Sequence, residues 1–149
     1  MAGLRWSVVV VALVFAAVTP VLADQAGAGR IKTVSGSAFI VRDGASLAAQ
    51  PGQVVFEADT IRTGSDGTVG VTLKDDTRLA LGPSSEVRVN RFVYAPGSGS
   101  FGLALKFVRG VTAYVSGRMA KLAPDSIRLE TPAAIVGVRG TTLAIRAEP

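Results

Sequence analysis

The sequence predicts an all-β protein, either a short β-solenoid or a rolled β-sandwich of short strands. Three observations carry this. Apolar residues recur at every second position, most cleanly in Phe101, Leu103, Leu105 and Phe107, and no stretch sustains them at helical spacing. Glycine, aspartate and proline punctuate the chain every few residues, as turns between strands require. Asp59-Thr60-Ile61-Arg62 returns as Asp125-Ser126-Ile127-Arg128, each ahead of a glycine-broken apolar stretch, an echo that suits two coils of similar shape.

The chain opens with Arg5, an apolar segment over residues 6–18, and the small residues Val21 and Ala23 before Asp24. A positive start, an apolar core and small residues at −3 and −1 make residues 1–23 a secretory signal peptide, cleaved before Asp24. The apolar run falls short of the roughly 18 residues that a spanning helix needs, and Thr19-Pro20 interrupts it. No stable membrane span is expected, and the mature protein is expected in the periplasm or secreted. Residues 24–29 read as a flexible start, and residues 30–149 as one β domain.

Within that domain, Phe39 and Val41 alternate with Ile40 and Arg42 up to Asp43-Gly44, a tight-turn signal. Pro51-Gly52 marks another turn. Ile61, Val69, Val71 and Leu73 share one face. Lys74-Asp75-Asp76-Thr77 forms the next hairpin, with Asp76 where the turn wants positive φ, which aspartate tolerates. After Gly82-Pro83-Ser84-Ser85, the apolar phase passes from Val87 and Val89 to Phe92 and Tyr94, which predicts a bulge near Asn90-Arg91. Residues 95–100 are a glycine-serine loop with no core residue. Arg109-Gly110 reads as a turn into Val111, Ala113 and Val115, with Tyr114 on the opposite face.

The last stretch begins at Thr131-Pro132. Proline fixes φ and offers no ladder donor, so Pro132 suits the first position of a strand that continues through Ile135, Val136 and Val138. Arg139 stands between Gly137 and Gly140 and needs partners for five donors. A structural role is expected for it: burial, and pairing with a carboxylate, Asp59 foremost.

These residues together resemble the FecR domain family, the extracytoplasmic domain of ferric-citrate-type regulators and of many stand-alone envelope proteins. The likeness rests on Thr131-Pro132 with Gly137, Val138, Arg139, Gly140 and Thr141, and on Asp59-Thr60-Ile61-Arg62-Thr63-Gly64 followed by Gly67. A third element is the glycine-led strand from Gly36 to Arg42. The motif residues of the resemblance are Asp59, Ile61, Gly64, Pro132, Gly137, Arg139, Gly140 and Thr141. It implies a periplasmic interaction or signalling module. The cytoplasmic segment and membrane span of the regulators have no counterpart in this sequence, so direct control of a sigma factor is not expected.

Composition narrows the chemistry. With no histidine and no cysteine, Ser-His-Asp and Cys-His arrangements and disulfides are excluded, and the commonest metal ligand is missing. Asp75-Asp76, Glu57 with Asp59, and Asp66 read as solvated turn residues rather than acid–base pairs. Ser65-Asp66-Gly67 has too few oxygen ligands nearby for calcium, and Ser84 and Ser85 lack a nucleophile elbow. The net charge of +5 is spread one or two residues per strand, without the dense basic run or aromatic platform of a nucleic-acid binder. The expectation is a non-enzymatic protein-interaction module without cofactor or metal; the alternative is a glycan- or peptidoglycan-binding one. Its partner would be an envelope protein or a cell-wall polymer, met by residues 95–100 or by the tail after Ile145.

Overall fold

The computed structural model describes Gly3, residues 27–136 and residues 142–149. Its first strands are β1 (Gly29–Ser35), β2 (Ala38–Arg42), β3 (Ala45–Ala48), β4 (Val54–Val55), β5 (Thr60–Thr63), β6 (Thr68–Leu73) and β7 (Arg78–Leu81). Then come β8 (Glu86–Ala95), β9 (Ser100–Val115), the short helix α1 (Arg118–Leu122), β10 (Ile127–Glu130), β11 (Ile135–Val136) and β12 (Thr142–Ala147). The protein is all-β, as the alternation implies.

One strand organises the rest. The first half of β9 pairs with β8 on one side and β10 on the other; its second half lies between β7 and β12. The first sheet therefore runs β3-β2-β5-β8-β9-β10-β11 and the second β4-β1-β6-β7-β9-β12. Every pairing is antiparallel except that of β9 with β10. A solenoid would stack parallel coils, so this pairing gives the rolled form of the two expected. The sheets curl over a common core: Ile31, Val71, Leu79 and Tyr114 from one, Ile40, Ile61, Val89 and Leu105 from the other, each at most 2% exposed.

Gly110 is the corner where β9 changes sheet. Leu103, Leu105 and Phe107 are buried before it, Thr112 and Tyr114 after it, so the inward phase slips by one residue. Its φ is +84°, and a Cβ there would lie 2.2 Å from Ser85 Oγ and 2.5 Å from Ser85 Cα. Only glycine takes that conformation and that contact without strain. The expected turn at Arg109-Gly110 is thus a bend inside a continuous strand, while Tyr114 does lie on the face opposite Val111 and Ala113, and that face is the buried one. Val111 and Ala113 face solvent.

The bulge expected near Asn90-Arg91 lies in the β8–β9 ladder, whose register shifts between Val89 and Arg91. Four other expectations are corrected. Of the flexible start, 24–29, Ala28 is buried and donates to Val55 O at 2.7 Å, and Gly29 is already in β1. Asp75 is not solvated: it is 0% exposed and accepts from the Thr77 N–H at 3.1 Å and the Thr77 hydroxyl at 2.8 Å. Pro132 does not begin a strand; it sits in the turn between β10 and β11, closed by Thr131 N–H to Ala134 O at 2.8 Å, where a fixed φ also fits. The tail after Ile145 is held as well, because Arg146 and Ala147 pair with Val111 and Gly110.

Candidate interaction site

The first sheet ends in a bare hairpin. Asp43 and Gly44, both at positive φ, turn β2 into β3 in two residues. Ala45, Ser46, Leu47 and Ala48 are all exposed and uncharged. Ala49 N–H donates to Ala38 O at 2.9 Å, which sets the ladder phase. In the register Ile40↔Leu47 and Arg42↔Ala45, that phase turns the N–H and C=O groups of Ser46 and Ala48 away from β2. Phe39 at 37% and Leu47 at 39% exposure offer apolar surface on either side of the hairpin. Sheet edges are commonly blunted by charge, proline or a bulge; β3 has none of these.

The root of the hairpin is rigid by contrast. Arg42, the last residue of β2, donates from Nε to Asp59 Oδ1 at 2.9 Å and from Nη2 to Asp59 Oδ2 at 2.7 Å. Nη2 also reaches Val54 O at 3.2 Å, and the guanidinium lies 4.6 Å from the Phe56 ring centroid. Asp59 Oδ2 accepts the Phe56 N–H at 2.8 Å. The hydrogen-bonded Asp59 carboxylate pushes the Arg42 pKa further up, against the opposing effect of burial. This fork-shaped pairing fixes orientation as well as charge.

The sequence motif around Asp59 is the brace behind this edge. Ile61 is wholly buried. Thr63 Oγ1 donates to Gly82 O at 2.7 Å and accepts the Ser85 N–H at 2.9 Å, tying β5 to the loop before β8. Gly64 N–H donates to Ser37 O at 2.8 Å, and a Cβ on Gly64 would come within 3.0 Å of Ser37 Cβ. Asp59, expected to meet Arg139, has its oxygens on Arg42 and Phe56. Arg139 itself, with Gly137, Gly140 and Thr141, lies outside the described residues.

A family model described as FecR protein matches residues 59–149. The chain belongs to the FecR family. The match begins at Asp59 and takes in the brace and every strand from β5 onward, while Arg42 and the β2–β3 hairpin precede it. FecR proteins are signalling and regulatory modules, and membership supports that role here. Comparisons with curated proteins and with solved structures give no match. Among the described residues, no helix is long and apolar enough to cross a membrane, and no group of three or more carboxylates is placed to hold a metal ion.

Sequence reasoning missed β3 and the role of Arg42. Ala45-Ser46-Leu47-Ala48 carries no β-branched or aromatic residue and so gives little strand signal of its own. The signal that was present is Asp43-Gly44, since a two-residue hairpin turn requires a second strand after it. The expected contact loop, residues 95–100, is exposed from Pro96 onward and contains one 3₁₀ turn, Pro96–Ser98, flanked by Tyr94 and Phe101, whose ring centroids lie 6.1 Å apart.

Proposed function

We propose that this FecR-family protein is an exported, non-enzymatic protein-interaction module of envelope signalling, and that it receives an extended segment of its partner along β3. The observation that supports this is the uncharged open edge, whose outward groups on Ser46 and Ala48 stand on a hairpin anchored by Arg42 and Asp59. Strand addition needs only backbone donors and acceptors in a fixed row. Each net hydrogen bond is worth about 1 kcal/mol, so so short an edge gives modest affinity, with side-chain contacts to Phe39 and Leu47 supplying selectivity. A rigid root lowers the ordering cost of binding.

The test is a photoreactive residue at Ser46 in the full chain, crosslinked in cells and identified by mass spectrometry. Ala48→Pro removes an outward N–H and should abolish the identified adduct at unchanged melting temperature. An adduct that survives Ala48→Pro places the contact elsewhere. Export is tested on the envelope fraction, where the mature chain should start at Asp24; retention of the uncleaved chain in a membrane overturns it. Turnover of peptidoglycan or peptide by the pure protein overturns the non-enzymatic reading.

A further inference from the structure

Both sheets carry exposed basic residues on their outer faces, Arg88 and Lys106 on the first included, but they differ in their acids. On the first, Arg62 and Arg109 share Glu86, and Arg128 meets Glu130. On the second, the exposed strand residues include Arg30, Lys32, Arg78 and Arg146 and no carboxylate among the described residues. Lys32, Arg78 and Arg146, with Lys74 at the margin, have no ion pair among those residues. Asp76, the acid at that margin, is taken by Arg118 Nε at 2.9 Å.

This face is grooved. Cross-strand pairing sets Gly70, Ala80, Ala113 and Ala144 in one row of small residues, with the Thr33 side chain against Gly70. The next row is Arg30, Thr72, Arg78, Val115 and Thr142. A cleft of about 630 Å³ beside Arg30, Lys32 and Lys74 adjoins one of about 220 Å³ beside Arg78, Ala80 and Ala113, and the two share Lys32 and Thr72. The two form a shallow, open trough across β1, β6, β7 and β9, with Asp76 among the residues lining its larger end.

We infer that this trough binds a linear acidic polysaccharide. The backbone groups of the small-residue row are spent in the ladders, so a peptide strand has nothing to add to there. A flat bilayer surface would meet the exposed cations and leave the clefts between them empty. A thin chain fits both: it lies close to glycine and alanine while its oxyanions reach the flanking cations. Adjacent strands lie about 4.8 Å apart, so the backbones at Arg30 and Arg78, two strands apart, stand about 10 Å from each other, with Arg30 Nη1 also donating to Gly52 O at 2.9 Å. That interval suits an acid on every one or two sugar units. Unpaired, exposed cations add attraction at little desolvation cost.

The experiment titrates the full chain with oligogalacturonate of defined length at low salt, beside free galacturonate, phosphatidylglycerol vesicles and polyglutamate. Binding should favour the oligosaccharide over all three and weaken with added salt. Lys32→Gln combined with Arg78→Gln should weaken it about tenfold or more, at unchanged melting temperature. Arg88→Gln with Lys106→Gln, on the other sheet's outer face, should change it less than about twofold. No binding, equal loss in the two double variants, or equal or tighter binding of vesicles or polyglutamate overturns the inference.

Discussion

Arg42 and Asp59, 17 residues apart in the chain, face each other as a fork on a carboxylate, at 2.9 and 2.7 Å. The pair ties β2 of the first sheet to the loop ahead of β5, and through Val54 O it reaches β4 at the far edge of the second. The Asp59 side chain is 2% exposed and that of Arg42 30%. Removing Arg42 therefore strands a buried anion. Breaking a fully buried pair costs about 3–5 kcal/mol; partial exposure of Arg42 brings the expectation for Arg42→Ala to about 2–3 kcal/mol. Arg88→Ala, on an exposed position without an ion pair among the described residues, should stay within about 0.5 kcal/mol. Chemical denaturation of both variants decides it, and equal small losses would dismiss the anchoring role.

Thr63 is expected to matter through its hydroxyl rather than its bulk. Thr63→Val keeps the shape but leaves the Ser85 N–H and Gly82 C=O without their side-chain partner in a buried site. The expected loss is about 1–3 kcal/mol. Thr68→Val, at an exposed position of β6, the next strand along the chain, serves as the control in the same denaturation series.

Gly110→Ala should be among the most damaging single-methyl additions in the chain. A positive-φ glycine replaced by alanine loses more than about 1 kcal/mol from backbone strain alone. Contact with Ser85 adds to that, because the atoms met include Cα and not merely a movable side-chain end. Gly97→Ala, where a Cβ meets nothing within 4 Å, should leave the melting curve almost unchanged.

Tyr114 predicts a pH dependence at the alkaline end. Burial, first, pushes its phenol up; the Asp75 charge adds to this, and the nearby Ser116 and Thr77 side chains oppose it. The unfolded chain releases this proton near the usual tyrosine value of about 10, while the folded chain holds it higher. The stabilisation is thus complete below about pH 10 and is lost as pH rises from there through the folded value. Tyr114→Phe should flatten that fall. Unfolding midpoints of the two proteins from pH 8 to 11.5 should diverge, and parallel curves would refute the assignment.

The alternating strands were readable because burial repeats with the pleat: Leu103, Leu105 and Phe107 announced their own face. The bulge at Asn90-Arg91 was readable for the same reason, since a phase change leaves a trace in the apolar pattern. Gly110 misled because a glycine beside a charged residue looks alike whether the chain turns or bends within a strand. Ser85, which fills the space at that corner, is distant in sequence. Asp75 misled because its burial depends on α1 and Gly117 closing over the hairpin, where a Cβ would meet Asp75 O at 2.2 Å. The site was the least legible part. The openness of an edge is a property of what fails to pair with it, and β3 carries no residue that advertises it.

A strand shared by two sheets also sets the order in which the chain can fold. As the polypeptide is delivered from its N-terminus, β1, β6 and β7 on one side and β2, β5 and β8 on the other are finished before β9 begins at Ser100. Until then each group is a partial sheet with an unsatisfied border, and the two are joined by short connections such as residues 36–37, 64–67 and 82–85 but by no shared strand. Arrival of β9 supplies the missing neighbour to both at once. Such distant pairings close slowly, and the waiting borders are prone to misassociate. The domain should therefore fold late and as a single unit, and a chain cut short before Val115 should aggregate rather than survive as half a protein.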